Sequence, residues 1–149
     1  MPRRRAGREL ALKVLFQIDV GKIPPEEALA LSAQSGPWHP DTLQFARLLV
    51  EGTVACCQHL DAVISRYARQ WTLDRMASVD RNVLRLAVYE ILFRPEVPHG
   101  AAVDEAVELA KKYSTAESGK FVNGILGQLL RDMEAGKITA PEAAPDKER

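Results

Sequence analysis

Lys120 and Phe121 stand side by side in the stretch Glu117-Ser118-Gly119-Lys120-Phe121-Val122-Asn123-Gly124. A cation beside an aromatic ring is the smallest set of groups that can hold a nucleotide strand, one for a phosphate and one for a base face. Near the other terminus, Arg3, Arg4, Arg5 and Arg8 form a second basic group, and residues 1–25 carry six cations against two acids. The whole chain gives no such signal, with Lys plus Arg and Asp plus Glu balanced at 20 each. A basic arm on a neutral body points to a local anionic partner. Cations at a helix start oppose the macrodipole by about 0.3–1 kcal/mol each. Four of them there serve something other than helix stability, and they read as phosphate contacts. Lys120, in the first turns of the last helix, reads the same way, and the N–H groups of that helix start are a further phosphate seat. For Phe121, burial competes with base stacking, because it lies four residues before Ile125 on a shared helical face.

Other chemistry finds little support. His39, His59 and His99 are isolated, with no zinc-ligand spacing around them. Cys56 and Cys57 are adjacent; neighbours on a helix point about 100° apart, so they read as inert thiols on an apolar helix rather than a disulfide or a nucleophile. Gly119-Lys120 lacks the first glycine and preceding strand of a phosphate-cradling loop. Glu26-Glu27 and Asp104-Glu105 read as a helix first turn and a helix face, not as acid–base pairs. The expectation is a protein that is not an enzyme and uses no cofactor or metal. No apolar run approaches a membrane span, the start is not of the secretory kind, and a reducing, cytoplasmic location follows.

The elements that must position these groups are helices. Leu10, Val14 and Ile18 recur every four residues in a first helix expected from Arg5 to Val20, with Gly21 as its C′ residue and Arg4 and Arg8 on its exposed face. Pro24-Pro25 starts a short second helix ending near Ser32. Asp41 is the expected N-cap of a long pattern running from 42 to 69, broken near Gln58 to Asp61, where Asp61 would cap the next piece. One isolated turn is expected at Asp74. A helix from Ser78 or Asp80 to just before Pro95 is apolar nearly all round, so it is central; only a stripe through Asp80, Arg81, Arg85 and Glu90 stays polar. Ala101 to Tyr113 is amphipathic, with Glu108 and Lys112 at i,i+4. Ser114 and Glu117 fit a capping box for the last helix, which Gly136 ends. Gly119, Gly124 and Gly127 inside that helix each cost about 1 kcal/mol against alanine. Gly119 would leave the backbone open to a ligand, and Gly124 and Gly127 would allow close packing. Strand signals are nearly absent. The fold expected is all-α, about seven helices and no sheet, in one domain of residues 1–136. An N-terminal bundle would span about 3–70 and a C-terminal bundle about 74–135, followed by a disordered tail, 137–149, rich in Pro, Ala, Glu and Lys.

Several segments, in order, match one family. Val79-Asp80-Arg81-Asn82-Val83-Leu84-Arg85-Leu86-Ala87-Val88-Tyr89-Glu90 resembles the central signature of the NusB family of transcription antitermination factors. Val97-Pro98, Asp104-Glu105-Ala106-Val107-Glu108-Leu109-Ala110-Lys111-Lys112-Tyr113 and the stretch from Glu117 to Leu126 continue it, and Arg3-Arg4-Arg5, Arg8 and Ala11 to Phe16 fit its opening helix. The resemblance covers roughly residues 3 to 133. It implies two packed three-helix-type bundles and no catalysis. It also implies binding to the single-stranded BoxA element of ribosomal RNA transcripts together with NusE, a small-subunit ribosomal protein, within the RNA polymerase antitermination complex. Carried onto this chain, the implied RNA contacts are Arg3, Arg4, Arg5, Arg8, Ser118, Lys120, Phe121 and Asn123. The implied partner contacts are Asp80 first and Arg81 second. Glu117, beside this path, is expected to weaken RNA binding by repulsion. Two other readings stand beside this one: an RNA-recognition domain related to that of ribosomal RNA cytosine methyltransferases, and a protein–protein scaffold without RNA contact. Self-association as a homodimer is left open by the residues.

Overall fold

The computed structural model describes residues 3–138. Seven α-helices and a single 3-10 turn make up the described residues, with no strand among them: α1 Arg3–Asp19, α2 Pro25–Ala33, α3 Pro40–Ala55, α4 Cys57–Tyr67, the 3-10 turn Leu73–Arg75, α5 Ser78–Phe93, α6 His99–Tyr113 and α7 Ala116–Glu134. Apart from residues 137 and 138, the expected tail lies outside the described residues.

Eleven of the sixteen residues of α5 are buried, so no face of this helix is left to solvent, as its all-round apolar pattern requires. It packs against α1 and α3 on one side and against α4, α6 and α7 on the other. Leu84, Leu86 and Ile91 are at most 2% exposed, and truncating such a side chain to alanine typically costs about 2–5 kcal/mol. Helices α1, α2 and α3 form one group; α4 sides with α5 and α7 rather than with that group.

Several local expectations are corrected. The long helix breaks at Cys56, not at Gln58 to Asp61. Asp61 caps nothing, because Arg85 of α5 holds its carboxylate at 2.7 and 3.0 Å. His39 takes the N-cap of α3, its Nδ1 accepting from the Asp41 N–H at 3.0 Å. The left-handed residue after α1 is Lys22 rather than Gly21. Thr115 caps α7 by accepting from the Ser118 N–H at 3.0 Å, so no capping box joins Ser114 to Glu117. Lys112 leaves Glu108 to Lys111 and reaches Glu9 of α1 instead.

The glycines are also redistributed. A Cβ on Gly124 would meet nothing, and one on Gly127 only Arg131 of its own helix, so neither marks a tight crossing. That role belongs to Gly52 of α3, against which the Tyr89 ring of α5 lies where a Cβ would be. Gly119 is buried, with the Lys111 side chain 2.8 Å from a Cβ position, so it seats α6 against α7 rather than baring backbone.

Candidate nucleic-acid interface

Long side chains bridge α1 and α6, and three residues one turn apart on α1 make the links. Arg5 gives two hydrogen bonds to Glu105, at 2.8 and 3.2 Å. Glu9 accepts from Lys112 Nζ at 2.9 Å and from the Tyr113 hydroxyl at 2.8 Å. Lys13 lies 5.9 Å from the Tyr113 ring centre and Lys112 5.4 Å from it, within cation–π range. Burial pushes the Glu9 carboxyl up, but the hydrogen bonds from Lys112 and Tyr113 outweigh it and hold the group below the usual carboxylate range. The hydrogen bond and charge of Glu105 raise the Arg5 guanidinium further.

The acids in these pairs are sunk, while the cations stand out. Glu9 and Glu105 side chains are 15% and 18% exposed, against 54% for Lys112 and 50% for Arg5. At the far end α7 begins, with Lys111 packed on Gly119 and Lys120, the next residue, exposed 3.7 Å from Glu117. Arg5 and Lys112 thus turn outward where α1 meets α6, with Lys111 beside them and the Tyr113 ring between Lys13 and Lys112, and Lys120 stands exposed where α7 begins. Cations with interspersed rings along one edge suit a single strand, whose phosphates and bases they engage separately. Lys111, Lys112 and Tyr113 were not among the expected contacts because they lie on an ordinary amphipathic helix face. Only the pairing of α1 with α6 brings them to the arginine arm.

The predicted residues divide. Arg3, Arg4, Arg5, Lys120 and Asn123 are exposed. Arg3 holds Asp41 in an exposed pair at 3.0 Å, and Arg4 lies 5.0 Å from the Phe45 ring centre. Phe121 is partly buried against the core and also lines a cleft at the start of α7. Arg8 is corrected. It points inward, 7% exposed, with Nε 3.0 Å from both oxygens of Glu90 and Nη2 at 2.8 Å. Burial still pushes the Glu90 carboxyl up against the pull of Arg8. A guanidinium committed to a buried carboxylate is not offered to phosphate. Ser118 is corrected likewise: it is buried and its hydroxyl goes to Asp80 Oδ2 at 3.0 Å.

Asp80, the first candidate for a partner contact, is buried with its carboxylate turned to Ser118 rather than outward to a protein surface. Arg81 is mostly buried too, bonded to Asp19 at 2.8 Å and to the Leu73 carbonyl at 2.9 Å. The expected polar stripe of α5 is thus a row of internal polar pairs. Burial raises the Asp19 carboxyl, yet hydrogen bonds from Arg81 and Asn82 bring it below the usual range. Beside this network the surface turns apolar. Phe16 on α1, Val20 just past its end and Val54 on α3 are 39%, 47% and 36% exposed. Leu15, Ile18 and Val54 flank a hollow of about 270 Å³ floored by Asp19, Asn82 and Arg85.

Among the described residues no helix is long and apolar enough to cross a membrane, and no cluster of three or more potential ligands could hold a metal ion.

Residues 5–131 match the model of the NusB family. The transcription antitermination protein NusB of Heliobacterium modesticaldum is 50% identical over 145 residues, covering 95% of this chain and 70% of that protein. That of Symbiobacterium thermophilum is 49% identical over 148 residues, covering 94% and 96%. These names describe a transcription factor rather than an enzyme. Among solved structures, Thermotoga maritima NusB superimposes with a TM-score of 0.81 at 39% identity, covering 95% of each chain. A crystal structure of antitermination factors NusB and NusE in complex with double-stranded RNA matches with a TM-score of 0.80 at 30% identity, covering 88% of this chain and 98% of that one. With nearly its whole helical body matched in sequence and in fold, the chain belongs to the NusB family.

Proposed function

We propose that this chain is an RNA-binding adaptor of transcription antitermination, holding the single-stranded BoxA element of ribosomal RNA transcripts together with NusE in the RNA polymerase antitermination complex. The observation that carries this reading is the cationic edge where α1, α6 and the start of α7 meet. Arg3, Arg4 and Arg5 take phosphates at one end, Lys111 and Lys112 in the middle, and Lys120 with Phe121 at the other, with Asn123 one turn further on. Arg8 and Ser118 act behind this surface, holding α1 on α5 and α7 on α5.

NusE docks on a different face, the apolar patch of Phe16, Val20 and Val54 beside the Asp19–Arg81–Arg85 network. Arg81 contributes there as the rim of the patch, and Asp80 does not contribute. Two separate faces let protein and RNA bind at once, so NusE extends the RNA surface rather than competing for it.

The test is an electrophoretic shift with BoxA RNA, a scrambled strand and a BoxA duplex, with and without NusE. A shift of single-stranded BoxA at lower protein concentration than the scrambled strand, strengthened by NusE, is expected. Equal shifts for all three RNAs would reduce the edge to a non-specific polyanion site. A complex with NusE that shifts no RNA would leave a protein scaffold.

A further inference from the structure

A cleft of about 390 Å³ opens where the start of α1 meets α3 and the turn between α5 and α6. That is the size range of small-ligand sites. Three arginines converge on it, Arg3 and Arg4 from α1 and Arg94 from the turn. Phe45 and Leu48 of α3 give it an apolar wall, partly buried against the core. Gln44 adds an amide that can both donate and accept a hydrogen bond. Arg94, Gln44 and Phe45 have no part in the edge formed with α6.

The three arginines are held in different ways. Arg4 lies over the Phe45 ring, 5.0 Å from its centre, and forms no ion pair among the described residues. Stacking occupies a face of the guanidinium and leaves its N–H edge for a phosphate. The ring is itself set by a close approach of two helices. Gly7 of α1 is buried, and a Cβ there would stand 2.8 Å from Phe45 Cδ2 and 3.3 Å from the Thr42 carbonyl oxygen. Arg3 holds Asp41 at 3.0 Å and Arg94 holds Glu96 at 2.7 Å, both pairs in contact with water. Such pairs are screened and change partners at small cost.

Asp41 and Glu96 line the cleft with the arginines, so three cations face two carboxylates. A passing RNA strand offers a single charge per nucleotide, no more than each carboxylate already offers. A chain of phosphates concentrates several charges at one point and draws all three guanidinium groups together, with two parallel hydrogen bonds wherever the fork meets a phosphate squarely. We propose that this cleft binds a nucleoside polyphosphate, its phosphates among Arg3, Arg4 and Arg94 and its nucleoside along Phe45 and Leu48, with Gln44 at a base edge. The same group comes as a free nucleotide or as the triphosphorylated 5′ end of an RNA. In either form it takes Arg3 and Arg4 away from the arm, so it competes with BoxA. That competition rests on the RNA-binding reading above; the site itself does not.

The experiment titrates the full chain with ATP, AMP and pyrophosphate in a calorimeter at fixed ionic strength. ATP is expected to bind about tenfold more tightly than AMP, since the added phosphates meet the added arginines. Arg94→Ala is expected to lower ATP affinity about tenfold while BoxA affinity stays within about twofold, because Arg94 neutralises no BoxA phosphate; a thermal melt checks that the variant folds. Arg94→Lys, which keeps the charge without the fork, falls between parent and alanine variant. Saturating ATP weakens BoxA binding to the parent, and the same ATP concentration has little effect on BoxA binding to Arg94→Ala. A short oligonucleotide of unrelated sequence, with a 5′-triphosphate or a 5′-hydroxyl, separates the two sources. A marked gain from the triphosphate supports the cleft as a seat for an RNA end, and ATP binding without that gain supports it as a seat for the free nucleotide. ATP affinity equal to that of AMP, or undiminished by Arg94→Ala, overturns the site, since a diffuse basic arm behaves in that way. A chain that binds ATP through Arg94 but binds no BoxA RNA keeps the cleft and defeats the RNA reading instead.

Discussion

The two sides of α1 use the same chemistry to opposite ends. Toward α5, Arg8 and Asp19 enter ion pairs that are nearly closed to water: Arg8 with Glu90, and Asp19 with Arg81 and Arg85. Toward α6, Arg5 and Glu9 make pairs of similar length whose cations are half exposed. Arg5 and Arg8 lie three residues apart and are both doubly bonded to a carboxylate, so neither residue type nor distance separates them. Solvent does. A pair in water is screened and contributes little, and its cation can change partners at small cost. A buried pair cannot, because the carboxylate left behind would be stranded. The seam with α5 therefore fixes the architecture, and the edge with α6 remains available to an anion.

The sharpest way to break this comparison is at Arg8. Arg8→Met strands the Glu90 carboxylate in the core and is expected to cost about 3–5 kcal/mol of folding stability, read from the shift of a urea midpoint. Replacing both residues, Arg8→Met with Glu90→Leu, should recover most of that loss, since a well-packed apolar pair of similar volume often equals a buried ion pair. BoxA affinity of the double variant should stay within about twofold of the parent, because Arg8 contributes no phosphate contact to the salt dependence. A double variant that is stable but no longer binds RNA would return Arg8 to the interface.

The seam also has a pH signature. Asp19 sits below its ordinary range because Arg81 and Asn82 overcome the effect of burial. A carboxyl whose folded pKa is depressed contributes stability that is present above its unfolded pKa and lost as pH falls through the folded one. Asp19→Asn is therefore expected to be less stable than the parent at neutral pH. The difference should close as pH drops below the usual carboxylate range, measured by urea unfolding at a series of pH values. A difference that persists unchanged into acid would mean that shape, not charge, holds Arg81 and Arg85.

On the edge, the expected changes move from stability to binding. Arg5→Ala with Lys112→Ala should leave the thermal midpoint nearly unchanged while weakening BoxA binding. The magnitude of the log–log salt slope should fall by about 0.7 for each phosphate that is no longer neutralised, about 1.4 for the pair. An unchanged slope would remove both residues from the RNA path and leave the arm with Arg3 and Arg4 alone.

How far the sequence could be read follows the same division. Helix α5 was legible as central because its apolar pattern leaves no face for water. Lys120 stands out in the sequence because a cation near a helix start works against the dipole, and it is exposed there. What stayed hidden depends on contacts between distant residues. Arg8 looks like Arg5 until Glu90, 82 residues away, is placed beneath it. Asp61 looks like a cap until Arg85 takes it, and Gly52 carries no mark of the Tyr89 ring that lies against it. Lys112 has a good local partner in Glu108, yet it pairs with Glu9 where α1 meets α6. Local chemistry shows which groups are charged; only packing shows which of them are spent.

The smallest expected effect tests the edge at its weakest point. Glu117 is 85% exposed and lies 3.7 Å from Lys120, which is itself 78% exposed. Thr115 and not Glu117 caps α7, so the fold gives no reason for an acid here beyond its favourable place near the helix start. Toward RNA the same charge acts twice, by repelling phosphate and by occupying Lys120. Both actions are screened, since the groups stand in water and unit charges about 4 Å apart interact there by only about 1 kcal/mol before salt is added. Glu117→Gln should therefore tighten BoxA binding by about two- to fivefold at low salt, with the gain shrinking as salt rises, while the thermal midpoint falls slightly through loss of the dipole interaction. The contrast with Arg8 is then complete: neutralising a charge on the edge improves binding at little cost to the fold, and neutralising one in the seam costs the fold and leaves binding alone. Equal or weaker BoxA affinity for Glu117→Gln in the same titration would show that Lys120 is held in place by Glu117 and that even exposed pairs on this edge are structural.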